Sequence, residues 1–134
     1  MRREGVIDGL PTEMIVNTAL KGYDKRGDFP FHVWVAVGYR GTEETAGLPT
    51  PKETRSLEAL EDTLLAAIRK AGEGHYIGQS SWNGTREFNF YVDDPELTDE
   101  RLEALATPQK RPIHYEICED PTWQRVEFFF DYES

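Results

Sequence analysis

Tyr76-Ile77-Gly78-Gln79-Ser80-Ser81-Trp82-Asn83-Gly84-Thr85-Arg86-Glu87-Phe88-Asn89-Phe90-Tyr91-Val92 decides how this chain folds. Two alternating runs flank Asn83-Gly84, and Asn-Gly is the strongest short-range signal for a β-hairpin. A two-residue turn pairs Trp82 with Thr85, Ser80 with Glu87, Gly78 with Asn89, Ile77 with Phe90, Tyr76 with Tyr91 and His75 with Val92. Strand side chains alternate between faces, so this register sorts them. Ile77, Phe88, Phe90 and Val92 fall on one face, which reads as core. Tyr76, Gly78, Ser80, Trp82, Thr85, Glu87, Asn89 and Tyr91 fall on the other, which is polar and aromatic.

Working outward, Thr50-Pro51-Lys52-Glu53 opens a helix: Thr50 caps it, Pro51 suits the first helical position and Glu53 completes a capping box. It runs to about Ala71 and stops at Gly72 and Gly74, with Leu57, Leu60, Leu64, Ala67, Ile68 and Ala71 on one stripe. Phe31 to Tyr39 is a buried strand in which Val33, Val35 and Val37 alternate with His32, Trp34, Ala36 and Gly38. Glu13 to Leu20 is also strand-like, and the connection to Phe31 suggests that the two pair as a hairpin. A short helix is expected over roughly Thr98 to Ala106, ended by Pro108. Residues 112–118 form another strand, with Ile113, Tyr115 and Ile117 opposite His114, Glu116 and Cys118. After the turn Glu119-Asp120-Pro121-Thr122, the alternation of Val126, Phe128, Phe130 and Tyr132 favours a last strand. Trp123, Val126 and Phe130 also fit helical spacing, but consecutive Phe residues are poor helix formers.

The expected class is α+β: a largely antiparallel sheet with two helices on one face. Both a ferredoxin-like core with additions and a doubled strand-strand-helix sandwich fit, and strand order stays open. The 134 residues read as a single domain, with 1–11 as a lead-in segment and 12–132 as the α+β core.

Composition narrows the partners. A net charge of −10 argues against nucleic acid and anionic membrane surfaces, which need clustered Lys and Arg, and suits a basic protein partner. Cys118 is the single cysteine, so no intrachain disulfide or cysteine zinc cluster can form. Met1-Arg2-Arg3-Glu4 does not lead into an apolar signal segment, and no apolar run reaches membrane-spanning length. A cytoplasmic location is the expectation.

If both helices cover one face, the other is left open. The candidate binding residues there are His32, Trp34, Tyr76, Trp82, Glu87, Asn89, Tyr91, His114 and Glu116. Aromatics mixed with hydrogen-bonding groups typify the centre of an interface. The competing expectation is that the Phe128–Phe130 tail or residues 40–50 cover this face. His32 and His114, with Glu87 or Glu116 near, suggest acid-base or metal chemistry, but none stands at short ligand spacing. No catalytic residue, metal or cofactor is assigned. Cys118 reads as a half-buried structural thiol, and Trp123 as a plug at a sheet end.

Three features occur together: the Leu57–Leu65 helix carrying Glu61-Asp62, the hairpin ending Arg86-Glu87-Phe88-Asn89-Phe90-Tyr91-Val92-Asp93, and Glu119-Asp120-Pro121-Thr122-Trp123. In these the chain resembles the bacterial family catalogued as domain of unknown function 695, over roughly residues 12–130. That resemblance implies an α+β fold and carries no catalytic residues with it. From Ile117 to Phe130 the chain is also similar, more weakly, to the ribonuclease E activity regulator B proteins, small acidic inhibitors that bind an enzyme. The long acidic tail of those proteins has no counterpart here. The functional expectation is a non-catalytic protein-binding or regulatory module; the alternatives are a small enzyme or ligand-binding domain with a pocket on the open face, and a homodimer burying that face.

Overall fold

The computed structural model describes residues 1–40, 44–107 and 111–131; Pro108, the expected helix stop, and Tyr132 lie outside the described residues. The strands are β1 (Arg2–Ile7), β2 (Leu10–Val16), β3 (Phe31–Gly38), β4 (Gly74–Trp82), β5 (Thr85–Val92) and β6 (Ile113–Glu119). The helices are α1 (Pro51–Ala71), α2 (Pro95–Ala106) and a short α3 (Glu127–Asp131). One six-stranded sheet runs β1-β2-β4-β5-β3-β6, and every neighbouring pair is antiparallel. This is an α+β protein.

Cap chemistry places the helices. Thr50 Oγ accepts from the Glu53 N–H at 3.3 Å, but the expected capping box is only half made, because the Glu53 carboxylate accepts from the Arg40 N–H (3.1 Å) and pairs with Arg111 (2.7 Å) instead. Asp94 accepts from the Leu97 N–H at 3.0 Å, so α2 starts at Pro95 rather than at Thr98. Leu57, Leu60, Leu64 and Ile68 of α1 and Leu102 of α2 pack on Val33, Val35, Val37, Phe88, Phe90 and Val92, and this is the main core.

Three expectations are corrected. The lead-in segment is strand β1, joined to β2 through Asp8-Gly9, both with positive φ (50° and 80°). β2 does not pair with β3; it lies between β1 and β4, so the N-terminal hairpin extends the sheet beyond β4 and leaves β3 between β5 and β6. The C-terminal tail is not a strand. It forms a 3-10 turn over Gln124–Val126 and then α3, and buries Trp123, Val126, Phe129 and Phe130 on the sheet face away from α1. Helical spacing wins because Asp120 accepts the backbone N–H groups of Gln124 (3.2 Å) and Arg125 (2.9 Å), which satisfies the first turn.

The hairpin register holds from Gly78–Asn89 to Trp82–Thr85, then shifts at a β-bulge between Tyr76 and Gly78. Beyond it the pairs are Tyr76–Phe90, His75–Tyr91 and Gly74–Val92. One extra residue reverses the faces. Tyr76 therefore stacks on Phe90 on the helix side, and Ile77 joins Met14, Val16 and Tyr91 on the other.

A cleft beside the C-terminal helix as candidate functional site

Cross-strand register assembles the site. His32 on β3 lies between Tyr91 of β5 and Cys118 of β6; Trp34 lies between Asn89 and Glu116; Ala36 lies between Glu87 and His114. The tail covers the Tyr91 end of this face and leaves the rest open as a cleft of about 350 Å³. Its floor and walls are His32, Trp34, Glu87, Asn89, Glu116 and Cys118; Arg125 and Phe128 of the tail complete it.

The floor is fixed by a buried pair, His32 Nε2 to Asn89 Oδ1 at 2.8 Å, with both residues 4% exposed. The Asn89 oxygen can only accept, so Nε2 carries the proton. Burial lowers the His32 pKa against the opposing effect of that hydrogen bond, so the ring is neutral at neutral pH. Burial likewise raises the Cys118 pKa, which keeps it a thiol rather than a nucleophilic thiolate. The walls are different. Glu87 is half-buried and Glu116 exposed, and neither carboxylate is hydrogen-bonded or ion-paired among the described residues. The half-buried Trp34 indole makes no hydrogen bond among them either.

A second depression of about 200 Å³ continues the first, sharing Glu87 and Phe128 with it. Trp82 lines this part, its Nε1–H donating to the Ile7 carbonyl at 3.0 Å. Phe128 is 54% exposed and forms the ridge between the two depressions.

The structure thus brings His32, Trp34, Glu87, Asn89 and Glu116 into one cleft and places Trp82 next to it. His114 is on the same face but exposed and outside the cleft. Two candidates leave the open face. Tyr76 is turned to the helix side by the bulge, where its hydroxyl donates to Glu61 Oε2 at 2.9 Å. Tyr91 is fully buried under Trp123, with ring centroids 4.4 Å apart, and its hydroxyl donates to Asp120 Oδ2 at 2.6 Å. Arg125 and Phe128 escape the sequence reading because a strand assignment sends them elsewhere. The helical spacing of Trp123, Val126 and Phe130, which leaves Phe128 pointing outward, is the signal that finds them. Among the described residues no three His, Cys, Asp or Glu side chains group as metal ligands, and no helix is long and apolar enough to cross a membrane.

Fold and site together define an α+β protein with a sheet that is half covered by its own tail and half open. The chain belongs to a family of unknown function, DUF695, whose model matches residues 4–132. Searches of curated proteins and of solved structures each returned no match.

Proposed function

We propose that this chain is a non-catalytic binding module that captures a basic protein segment along the open sheet face, across the Phe128 ridge. The observation that carries this reading is the continuity of the two depressions through Glu87 and Phe128. Together they make a track with aromatic anchors (Trp34, Trp82, Phe128) and carboxylates (Glu87, Glu116) that have no partner among the described residues. Indole and phenyl faces with nearby carboxylates suit Lys and Arg side chains through cation-π and charge attraction. The net charge of −10 would steer such a partner toward the molecule.

A test is selection from a displayed peptide library at low salt. Selected peptides should combine Lys or Arg with an aromatic residue, and Trp34→Ala or Phe128→Ala should weaken their binding about tenfold or more, as loss of a buried aromatic anchor does. Acidic selected peptides, or binding indifferent to both substitutions, contradict the proposal.

A second reading is favoured by one observation: the buried His32–Asn89 pair at the floor of a cleft whose size falls within the range of small-ligand sites. In that case a small molecule, not a peptide, would shift His32 and Asn89 resonances, and Phe128→Ala would matter little.

A further inference from the structure

Arg86 is a buried cation without a buried anion. It lies on β5 on the helix side of the sheet, opposite Ser81 and Val37, and is 6% exposed. A guanidinium has five N–H donors. Arg86 uses one, from Nε to Ser81 Oγ at 2.8 Å; among the described residues it makes no other hydrogen bond and no ion pair. Its remaining donors find no protein partner, yet they are not sealed off from the cleft: among the described residues the buried side-chain atoms without a partner are Arg26 Nε and His75 Nε2. Burial depresses the Arg86 pKa, and the Glu61 and Glu13 carboxylates, which act to raise it, do not offset that effect.

Arg86 lines a cleft of about 610 Å³ between the sheet and the start of α1. Arg2 and Arg55 stand in the same cleft, as do Glu13 and Glu44. Three guanidiniums against two carboxylates leave one positive charge, which matches a monoanion better than a phosphate ester. The first turn of α1 adds the positive end of its dipole. It adds few donors, because Pro51 has no N–H and Thr50 already holds that of Glu53. Leu48 and Pro49 give the cleft an apolar wall.

We propose that this cleft binds an organic monocarboxylate, its two oxygens on the Arg86 fork and its apolar body against Leu48 and Pro49. The site lies on the opposite side of the sheet from the Phe128 track, so each can fail without the other.

Hexanoate and hexanamide are titrated by calorimetry and by following the Arg86 Nε–H resonance. The tripeptide Ala-Ala-Leu, with a free and with an amidated C-terminus, and inorganic phosphate complete the probes. At least one of the two acids should bind saturably and shift that resonance, with its amide tenfold weaker or worse. Arg86→Met should abolish binding, and Arg55→Gln, at the exposed rim, should weaken it several-fold. Tighter binding of hexanoate identifies a free acid as the ligand; tighter binding of the peptide acid identifies a chain terminus. If Arg86→Met does not fold, the wild-type resonance and Arg55→Gln still decide. The proposal is overturned if neither acid shifts the resonance, if amides bind as well as acids, if phosphate binds tighter than both acids, or if a folded Arg86→Met binds undiminished.

Discussion

Asp120 shows how much one carboxylate can organise. It is 8% exposed and accepts from the Tyr91 hydroxyl and from the N–H groups of Gln124 and Arg125. Burial alone would raise its pKa; those hydrogen bonds outweigh it and hold the carboxyl below its ordinary value. A carboxyl with a lower pKa folded than unfolded adds stability above its unfolded value of about 3.9, and loses that contribution as pH falls toward the folded value. Asp120→Asn should therefore cost about 1–3 kcal/mol at pH 7, and the gap from wild type should narrow below about pH 4. Urea unfolding at the two pH values measures both. Gly78 is a second point of control. A Cβ there would meet the Ile15 backbone oxygen at 2.3 Å, and a backbone atom cannot swing away. Gly78→Ala should destabilise by about 1–3 kcal/mol, the usual range for overpacking. An unchanged denaturation midpoint would show that β2 and β4 approach less closely.

At the scale of elements, the tail separates support from surface. Trp123 is fully buried, stacks on Tyr91, and donates from Nε1 to the Phe29 carbonyl at 3.0 Å. Arg26 holds it from outside, 5.3 Å over the indole, while its Nη1 pairs with Glu127 at 2.8 Å. Trp123→Ala should cost about 3–5 kcal/mol, as large-to-small core changes do. Phe128→Ala, five residues on but exposed, should stay within about 0.5 kcal/mol. Equal losses in thermal or urea unfolding would mean that Phe128 belongs to the core.

The same elements show what the sequence discloses. The α1 start is legible because the Thr50 cap and Pro51 are local chemistry, whereas Glu53 commits its carboxylate to Arg40 and the distant Arg111; the β4–β5 turn is legible because Asn83 and Gly84 adopt positive φ (45° and 87°). Asp8-Gly9 carries a similar signal, but the run before it, Arg2-Arg3-Glu4-Gly5-Val6-Ile7, is half charged, and the run after it opens on Leu10-Pro11, where proline is a poor strand residue. The bulge at Ile77 has no counterpart in the alternation pattern, so Tyr76 and Ile77 change faces unannounced. The tail fits both a period of two and a period near 3.6, and hydrogen bonds from outside it, at Asp120, decide between them. The site inherits these limits. Positions on β3, β5 and β6 are placed correctly by alternation, whereas Tyr91 and Phe128 depend on where the tail goes.

For the whole molecule, the division of the sheet into two faces matters most. One face is closed by α1 and α2 over the main core, and the other is half closed by the tail. With a charge of −10 and free carboxylates beside the track, binding of a basic segment should weaken with salt. Raising ionic strength from about 0.05 M to 0.5 M should cost about tenfold or more in affinity, because exposed charges are screened within a Debye length. Calorimetry across that range would expose a purely apolar contact as a flat line.

The three indole N–H groups offer the most direct measurement. Trp34 has no hydrogen-bond partner among the described residues and faces the cleft, Trp82 is tied to Ile7 beside it, and Trp123 is sealed against Phe29. A basic peptide from the display selection is titrated into ¹⁵N-labelled protein. The Trp34 resonance should move most, that of Trp82 less, and that of Trp123 should stay in place. An unmoved Trp34, with the perturbations gathered on α1 and α2 instead, would contradict binding along the open sheet face.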